Sequence, residues 1–483
     1  MKEPVIERAS HVCLTCKSRK KGCDKKLPTC GYCAKRNLPC RYQGSPVADE
    51  PVADAITQIE TNAILLQMVS LFGPPSENMS MVPRRTWHHV YRIFQLADLS
   101  LQEISRRYFS NFHNWLPVVS YDLFQESLDR YNSPSRSPPV DFSVLVLGMC
   151  LVTLQPSKLH THITPHSLYA TMKILFAEAQ AILCVSTYLI QAGLLIAAYE
   201  YANGRPEAAH ITMGSLARSA FAIGLADSSS WQTNDASIDS SERRERLNLW
   251  WGVIILERLI LCEIKDKTQR PTTDCPSFEF PLPSDLQPVQ ATVRPIGSCP
   301  HECLPSNQER KRCVFGHQAR AVLLLDRVLA VRRQPQTDSG RMVEIQQLDK
   351  QLQSFLAERM NTGTAEIGHE CSPIASAVRA LCLLHQEVLS YPFDTVDLQG
   401  LQHSEAALEM VSNVVVDVAR HHKAQIACQN SHADLLPLSC SYTLHMAMRQ
   451  ILDCTKLVCP HRRSSDLNCL AQLDQEFSDR WKA

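Results

Sequence analysis

Between positions 13 and 40 the chain places six cysteines, Cys13, Cys16, Cys23, Cys30, Cys33 and Cys40, at the spacing C-x2-C-x6-C-x6-C-x2-C-x6-C. A segment this short cannot bury enough apolar surface to fold alone, so the thiols must supply the fold. Each C-x2-C pair can grip a metal ion from a tight turn, and each following six-residue segment can return a third thiolate. Zinc takes four ligands at about 2.3 Å from sulfur. Two zinc ions therefore need more ligand positions than six sulfurs supply singly, and two cysteines must bridge. The halves repeat, which predicts that the bridges are Cys13 and Cys30, the first of each half. Cys16 and Cys23 then complete one site, and Cys33 and Cys40 the other.

Three rival uses of the thiols fit less well. A disulfide framework suits a short exported chain, but the opening MKEPVIERAS has no apolar core of a signal sequence. The 20 cysteines of the whole chain are therefore expected in a reducing compartment, where clustered thiols mean metal. A C-x-x-C redox motif needs a βαβ setting that such basic, proline-containing halves cannot provide. A single four-cysteine zinc site leaves two thiols unexplained at matching spacing.

Charge is distributed with the cysteines. Residues 1–43 hold eleven Lys or Arg against three Asp or Glu, a net +8, although the chain as a whole is neutral. A basic head on a mildly acidic body suits a polyanion partner. Six thiolates and two Zn²⁺ leave the metal core at −2, so the segment keeps about +6 for phosphates.

These residues resemble the DNA-binding domain of the fungal six-cysteine binuclear zinc cluster transcription factors. The resemblance covers residues 10–43 and includes Pro28 between the halves and the basic run Lys17, Arg19, Lys20, Lys21 after the second cysteine. Gly22 departs from the pattern, since many members have lysine there, and the departure costs one phosphate contact. The resemblance implies double-stranded DNA as partner, with a helix after Cys16 entering the major groove by its first turns and reading CGG triplets. By position, Arg19 and Lys20 are the expected base readers, because Arg and Lys donate to guanine O6 and N7. Lys17, Lys21, Lys25, Lys26, Lys35, Arg36 and Arg41 are expected on phosphates, which sets register without reading sequence. Nuclear localisation follows, with the basic run 17–26 able to double as an import signal.

From 44 to 80 the chain reads as a linker, with PVAD repeated at 46–49 and 51–54. Within it, Ile56, Ile59, Ala63 and Leu66 follow a/d spacing for about two heptads before Gly73-Pro74-Pro75. That pattern supports either a short dimerisation helix or a helix docked on the main domain, so homodimer and monomer both stay open.

The body, residues 81–460, shows long apolar-periodic runs and few strand signals, which predicts an all-α domain of packed amphipathic helices. The runs are Val140–Leu154, Leu168–Glu200, Ala208–Ile223, Glu242–Ile264, Arg320–Arg333 and Ile374–Leu389. Residues 268–312 are the longest irregular stretch, expected as a linker or lid-like loop. Ala179–Tyr199 is 21 residues without a charge, but Gln180, Ser186, Thr187 and Gln191 make it a buried helix rather than a membrane span. ISRRYFSNFHNWLPVVS (104–120), QAGLLIAAYEYANGR (191–205), GSLARSAFAIGL (214–225), RLNLWWGVIILERLI (246–260) and RPTTDCPSFEFPLPSD (270–285) together resemble the fungal-specific transcription factor domain. That resemblance implies a helical regulatory region that meets coactivators or corepressors and senses a small-molecule effector, without a catalytic site. By analogy only, the regulated genes are metabolic, with secondary metabolism among the candidates.

Other groupings carry less. Trp250, Trp251, Ile254, Ile255 and Leu259 form an apolar stripe expected in the core, with a ligand pocket as the alternative. Glu257 and Arg258 beside it suit a structural pair. CPHEC (Cys299, His301, Cys303) with Cys313 and His317, and the trio His160, His162 and His166, match no structural zinc spacing and are expected as ordinary side chains. Glycine is scarce, 16 of 483 residues, and the nearest approach to a phosphate loop, Gly363–Gly368, has His369 where lysine is needed. No HExxH, GxSxG or acid–base carboxylate pair appears, so a zinc-bearing metabolic enzyme is the weakest reading. The tail, 461–483, alternates acids with Leu467, Leu470, Leu473, Phe477 and Trp481, which fits an activation segment or a plain C-terminal helix. The remaining alternative is a DNA-binding repressor or scaffold without an activation function of its own.

Overall fold

The computed structural model describes residues 8–36, 38–40, 42, 82–131, 137–154, 164–183, 185–227, 240–276, 280–283, 314–334, 340–361, 367–391, 398–428, 436–453 and 460–481. The expected linker and dimerisation helix, the CPHEC group, His160, His162, Cys313, Gly363 and most of the 268–312 loop lie outside them. The described residues up to Tyr42 belong to one compact unit and those from Val82 onward to another.

The head has two short helices, α1 (Leu14–Ser18) and α2 (Gly31–Ala34). Its buried residues are Cys13, Cys16, Cys30, Cys33 and Tyr42. A core that is four-fifths thiol does not hold a chain together by apolar burial, so the fold depends on what the sulfurs bind.

The body is mostly helical and shows no strand among its described residues, as expected. It comprises α3 (Val82–Leu96), α4 (Leu101–Ser110), α5 (Tyr121–Tyr131), α6 (Val140–Thr153), α7 (Pro165–Ile182), α8 (Thr187–Ala202), α9 (Pro206–Ala222) and α10 (Ser240–Leu261). After the long loop follow α11 (Val314–Arg333), α12 (Arg341–Met360), α13 (Ile367–Leu389), α14 (Leu398–Cys428), α15 (Cys440–Asp453) and α16 (Pro460–Trp481). Every residue of α6 from Phe142 to Thr153 and of α8 from Leu189 to Ala202 is buried. A helix that is apolar on all sides needs neighbours all round. Accordingly α6 packs on α3, α4, α7 and α8, and α8 also meets α9 and α10. A second group surrounds α13 with α11, α12, α14 and α15, and α10 against α11 joins the two groups.

Where helices approach closely, the chain uses glycine. A Cβ on Gly193 would lie 2.3 Å from Leu216 Cδ2, and one on Gly252 2.5 Å from Val118 Cγ1. The segment Leu116–Val119 therefore lies flat on α10, held by buried amides. Gln191 Nε2 donates to the Val118 carbonyl at 2.7 Å, and Asn248 Nδ2 donates to that of Pro117 at 3.0 Å. The apolar stripe is core: Trp250, Trp251, Ile254, Ile255 and Leu259 are all buried.

One expectation needs correction. The uncharged stretch Ala179–Tyr199, expected as one buried helix, spans the end of α7 and the start of α8, because the chain breaks at Leu183 and restarts at Ser186. The Ser186 hydroxyl accepts from the Leu189 N–H at 3.1 Å and caps α8. No helix among the described residues is long and apolar enough to cross a membrane. The tail, for which an activation segment and a plain C-terminal helix were both open, is a helix packed on the body. Leu470, Leu473, Phe477 and Trp481 are buried, and Arg480 donates to the Val152 and Leu154 carbonyls at the end of α6.

Several charged groups inside the body are paired. Arg258, fully buried, meets Glu257, Asp326 and Thr273, so Glu257–Arg258 is a structural pair as expected. His317 meets Glu370 and Arg359 in the core. His422 sits 2.9 Å from the Cys371 thiol. His166 is exposed in the first turn of α7.

Candidate metal centre and nucleic-acid surface

The head repeats one local device. Cys13 and Cys30 are both extended, at φ −65°, ψ 153° and φ −67°, ψ 152°, and each caps the helix that follows. The Sγ of Cys13 accepts from the Cys16 N–H and that of Cys30 from the Cys33 N–H, both at 3.4 Å. A side-chain acceptor at this position normally comes from Ser, Thr, Asp or Asn. Here sulfur takes that role, so the C-x2-C turn is itself the first turn of the helix. This corrects the expectation of a helix after Cys16: α1 begins at Leu14 and ends at Ser18.

The six sulfurs form two quartets. Cys13, Cys16, Cys23 and Cys30 bring their Sγ atoms within 4.8 Å of one another, and so do Cys13, Cys30, Cys33 and Cys40. Cys13 and Cys30 belong to both, the sharing that the repeat predicts. Within the quartets, Cys13–Cys30 and Cys13–Cys33 are 3.8 Å apart and Cys16–Cys30 3.6 Å. A tetrahedron with bonds of about 2.3 Å has edges of about 3.8 Å, so the donor set fits zinc. The same separations are far beyond a bonded disulfide of about 2.05 Å.

Electrostatics separate the shared sulfurs from the rest. Burial raises every perturbed thiol here. At Cys13 and Cys30 the N–H groups of Cys16 and Cys33 and neighbouring thiols outweigh it, and Cys30 falls to about 6. Burial prevails at Cys16, Cys33 and Cys40, with Cys33 pushed up to about 12. A metal that replaces those protons stabilises thiolates the bare protein cannot hold together.

Other contacts close the head. Tyr42 donates to the Lys26 carbonyl at 3.0 Å and lies 3.8 Å from Cys23 Sγ. Asp24 Oδ1 accepts from the Gly31 N–H at 2.9 Å, and a Cβ on Gly31 would meet Asp24 Oδ2 at 2.7 Å. The Gly31 and Lys26 N–H groups lower the Asp24 carboxyl against a small opposing effect of burial. Thr15 donates to the Pro39 carbonyl, tying the first half to the end of the second.

The basic residues point outward. Lys17, Arg19, Lys20, Lys21, Lys26, Lys35 and Arg36 are exposed and Lys25 is half-buried. Arg19 caps α1, and Lys20 turns the chain with φ 50°. The cations thus cluster at the carbonyl end of the helix, where the dipole favours them. Lys25 Nζ donates to the Ser10 carbonyl at 3.0 Å, and Arg36 lies 5.0 Å over the Tyr32 ring. Among the described residues no ion pair holds Lys17, Arg19, Lys20 or Lys21. Arg41 lies outside the described residues.

Comparison with known proteins agrees with this geometry. Residues 11–47 match the Fungal Zn(2)-Cys(6) binuclear cluster domain, and residues 106–291 match the Fungal specific transcription factor domain. A relative, Transcription factor BOA15 of Botryotinia fuckeliana (strain B05.10), is 30% identical over 125 residues, 26% of this chain and 67% of the relative. Both matched domains are those of transcription factors and not of enzymes. The chain belongs to the fungal Zn(2)-Cys(6) binuclear cluster transcription factors, a DNA-binding zinc-cluster family, and carries the family's helical domain behind its cluster.

Proposed function

We propose that the protein is a nuclear regulator of RNA polymerase II genes that reads CGG-type half-sites through its head and takes regulatory input through its body. Two zinc ions, bridged by Cys13 and Cys30 and completed by Cys16, Cys23, Cys33 and Cys40, would cross-link the head into a rigid wedge. Arg19 and Lys20 would read guanine edges, while Lys17, Lys21, Lys25, Lys26, Lys35, Arg36 and Arg41 would hold phosphates. The observation that carries this reading is the pair of four-sulfur groups sharing Cys13 and Cys30 beneath an exposed basic run. A metabolic gene set, a homodimer formed through residues 56–72, a coactivator or corepressor and a small-molecule effector are parts of the same proposal. Selection of bound sequences from random DNA by the zinc-loaded full-length protein should enrich CGG triplets. Enrichment of an unrelated motif, or none, would overturn the assignment.

One observation favours the repressor or scaffold variant: α16 turns its apolar residues inward, which leaves the tail without an exposed apolar stripe. Residues 80–483 fused to a foreign DNA-binding domain should then activate a reporter weakly. Strong activation would restore the activator reading.

A further inference from the structure

The loop after α10 and the outer side of α11 enclose an open cleft of about 510 Å³, lined by residues from 258 to 275 and from 326 to 334. A water molecule occupies about 30 Å³, so the cleft has room for a metabolite. Its inner wall is Arg258, whose guanidinium is engaged at all three nitrogens: Nε donates to Asp326 at 2.6 Å, and the terminal nitrogens donate to Glu257 and Thr273. Arg270 and Arg333 complete the lining with a different balance. Among the described residues neither has a carboxylate partner. Burial, followed by the like charges of Arg258 and Arg270, lowers the Arg333 pKa although Asp326 opposes it. Gln334 adds a buried Oε1 with no hydrogen-bond donor. The lining carboxylates are Asp326, which Arg258 engages, and the exposed Asp274.

We propose that this cleft binds a small organic anion with at least two negative charges, clamped between Arg270 and Arg333. Two unpaired guanidiniums beside a third are repelled until an anion enters, and planar N–H forks match carboxylate and phosphate oxygens. Asp274 sets a limit on how much negative charge the site accepts. This gives a place and a ligand class to the effector-sensing part of the proposed function, and it does not depend on the DNA-reading part.

The test is calorimetric titration of the zinc-loaded full-length protein with citrate and with glycerol 3-phosphate, at matched ionic strength. Saturable 1:1 binding of citrate or glycerol 3-phosphate is expected, and which of the two binds more tightly tells carboxylate from phosphate ester. Arg270→Gln and Arg333→Gln should each weaken it at least tenfold, and Asp274→Asn should strengthen it. Arg333→Lys keeps the charge and guards against misfolding, and it should retain part of the affinity. The inference is overturned if neither anion binds saturably, or if binding ignores both arginine substitutions. CGG-site binding measured on the same preparation separates such a failure from failure of the DNA-reading assignment.

Discussion

The head and the body solve the folding problem in opposite ways. In the head the buried residues are four cysteines and one tyrosine, and the charges face out. In the body the apolar helices α6 and α8 are enclosed, and charges are taken inside with partners, such as Arg258 with Glu257 and Asp326 or Glu200 with Tyr169, Lys173 and Thr212. Metal coordination frees the head's surface for a partner, because no apolar face has to be covered. Apolar packing spends the body's surfaces on each other, and only clefts such as the one at Arg270 and Arg333 remain for ligands.

The contrast can be broken most forcefully by removing the metal. Chelation of the full-length protein should unfold the head and abolish specific DNA binding, while the helical signal and melting of the body stay unchanged. DNA binding that survived complete chelation would break the contrast. The converse test acts on the body alone. Trp251 is buried, and its Nε1 donates to the Pro281 carbonyl at 2.9 Å. Trp251→Ala should destabilise the body by about 3–5 kcal/mol in chemical denaturation, with zinc content unaltered.

A smaller effect sharpens the account of the head's outer surface. Lys20→Ala should weaken binding to a CGG site about ten- to a hundredfold while binding to scrambled DNA changes little. Equal loss on both sequences would move Lys20 from base reading to phosphate contact. The smallest effect concerns acid. Burial raises the Asp349 carboxyl, but the imidazoles of His385 and His403, at 3.2 and 2.8 Å, outweigh it and bring it to about 2. A carboxyl held low in the folded state stabilises above its usual value of about 3.9, and that contribution fades as pH falls toward 2. Asp349→Asn should therefore cost on the order of 1 kcal/mol at neutral pH and nothing near pH 2. A pH-independent loss would assign the effect to packing.

The sharing of sulfurs in the head is legible in the sequence because ligand spacing is a local signal that chemistry reads directly. What the sequence concealed was the start of α1, since cysteine is an unusual helix cap and only the structure shows its sulfur in that role. In the body, the stripe at Trp250–Leu259 and most helix positions follow from periodicity. The break between α7 and α8 was masked by continuous apolar residues, although Ser186-Thr187 carried the capping signal. The tail's alternation of acids and apolar residues is compatible with a free segment as well as a helix, and only the Arg480 bonds to the end of α6 distinguish them. Pairings such as Gln191 with Val118, or Arg270 beside Arg333, join positions far apart in the chain, and no local pattern announces them.

The central claim is that six sulfurs hold two metal ions by sharing Cys13 and Cys30. Native mass spectrometry of the reduced, zinc-saturated full-length protein tests it most directly. Two zinc ions per chain, both lost in Cys13→Ser, is the expected result; a single zinc ion per fully loaded chain would contradict it.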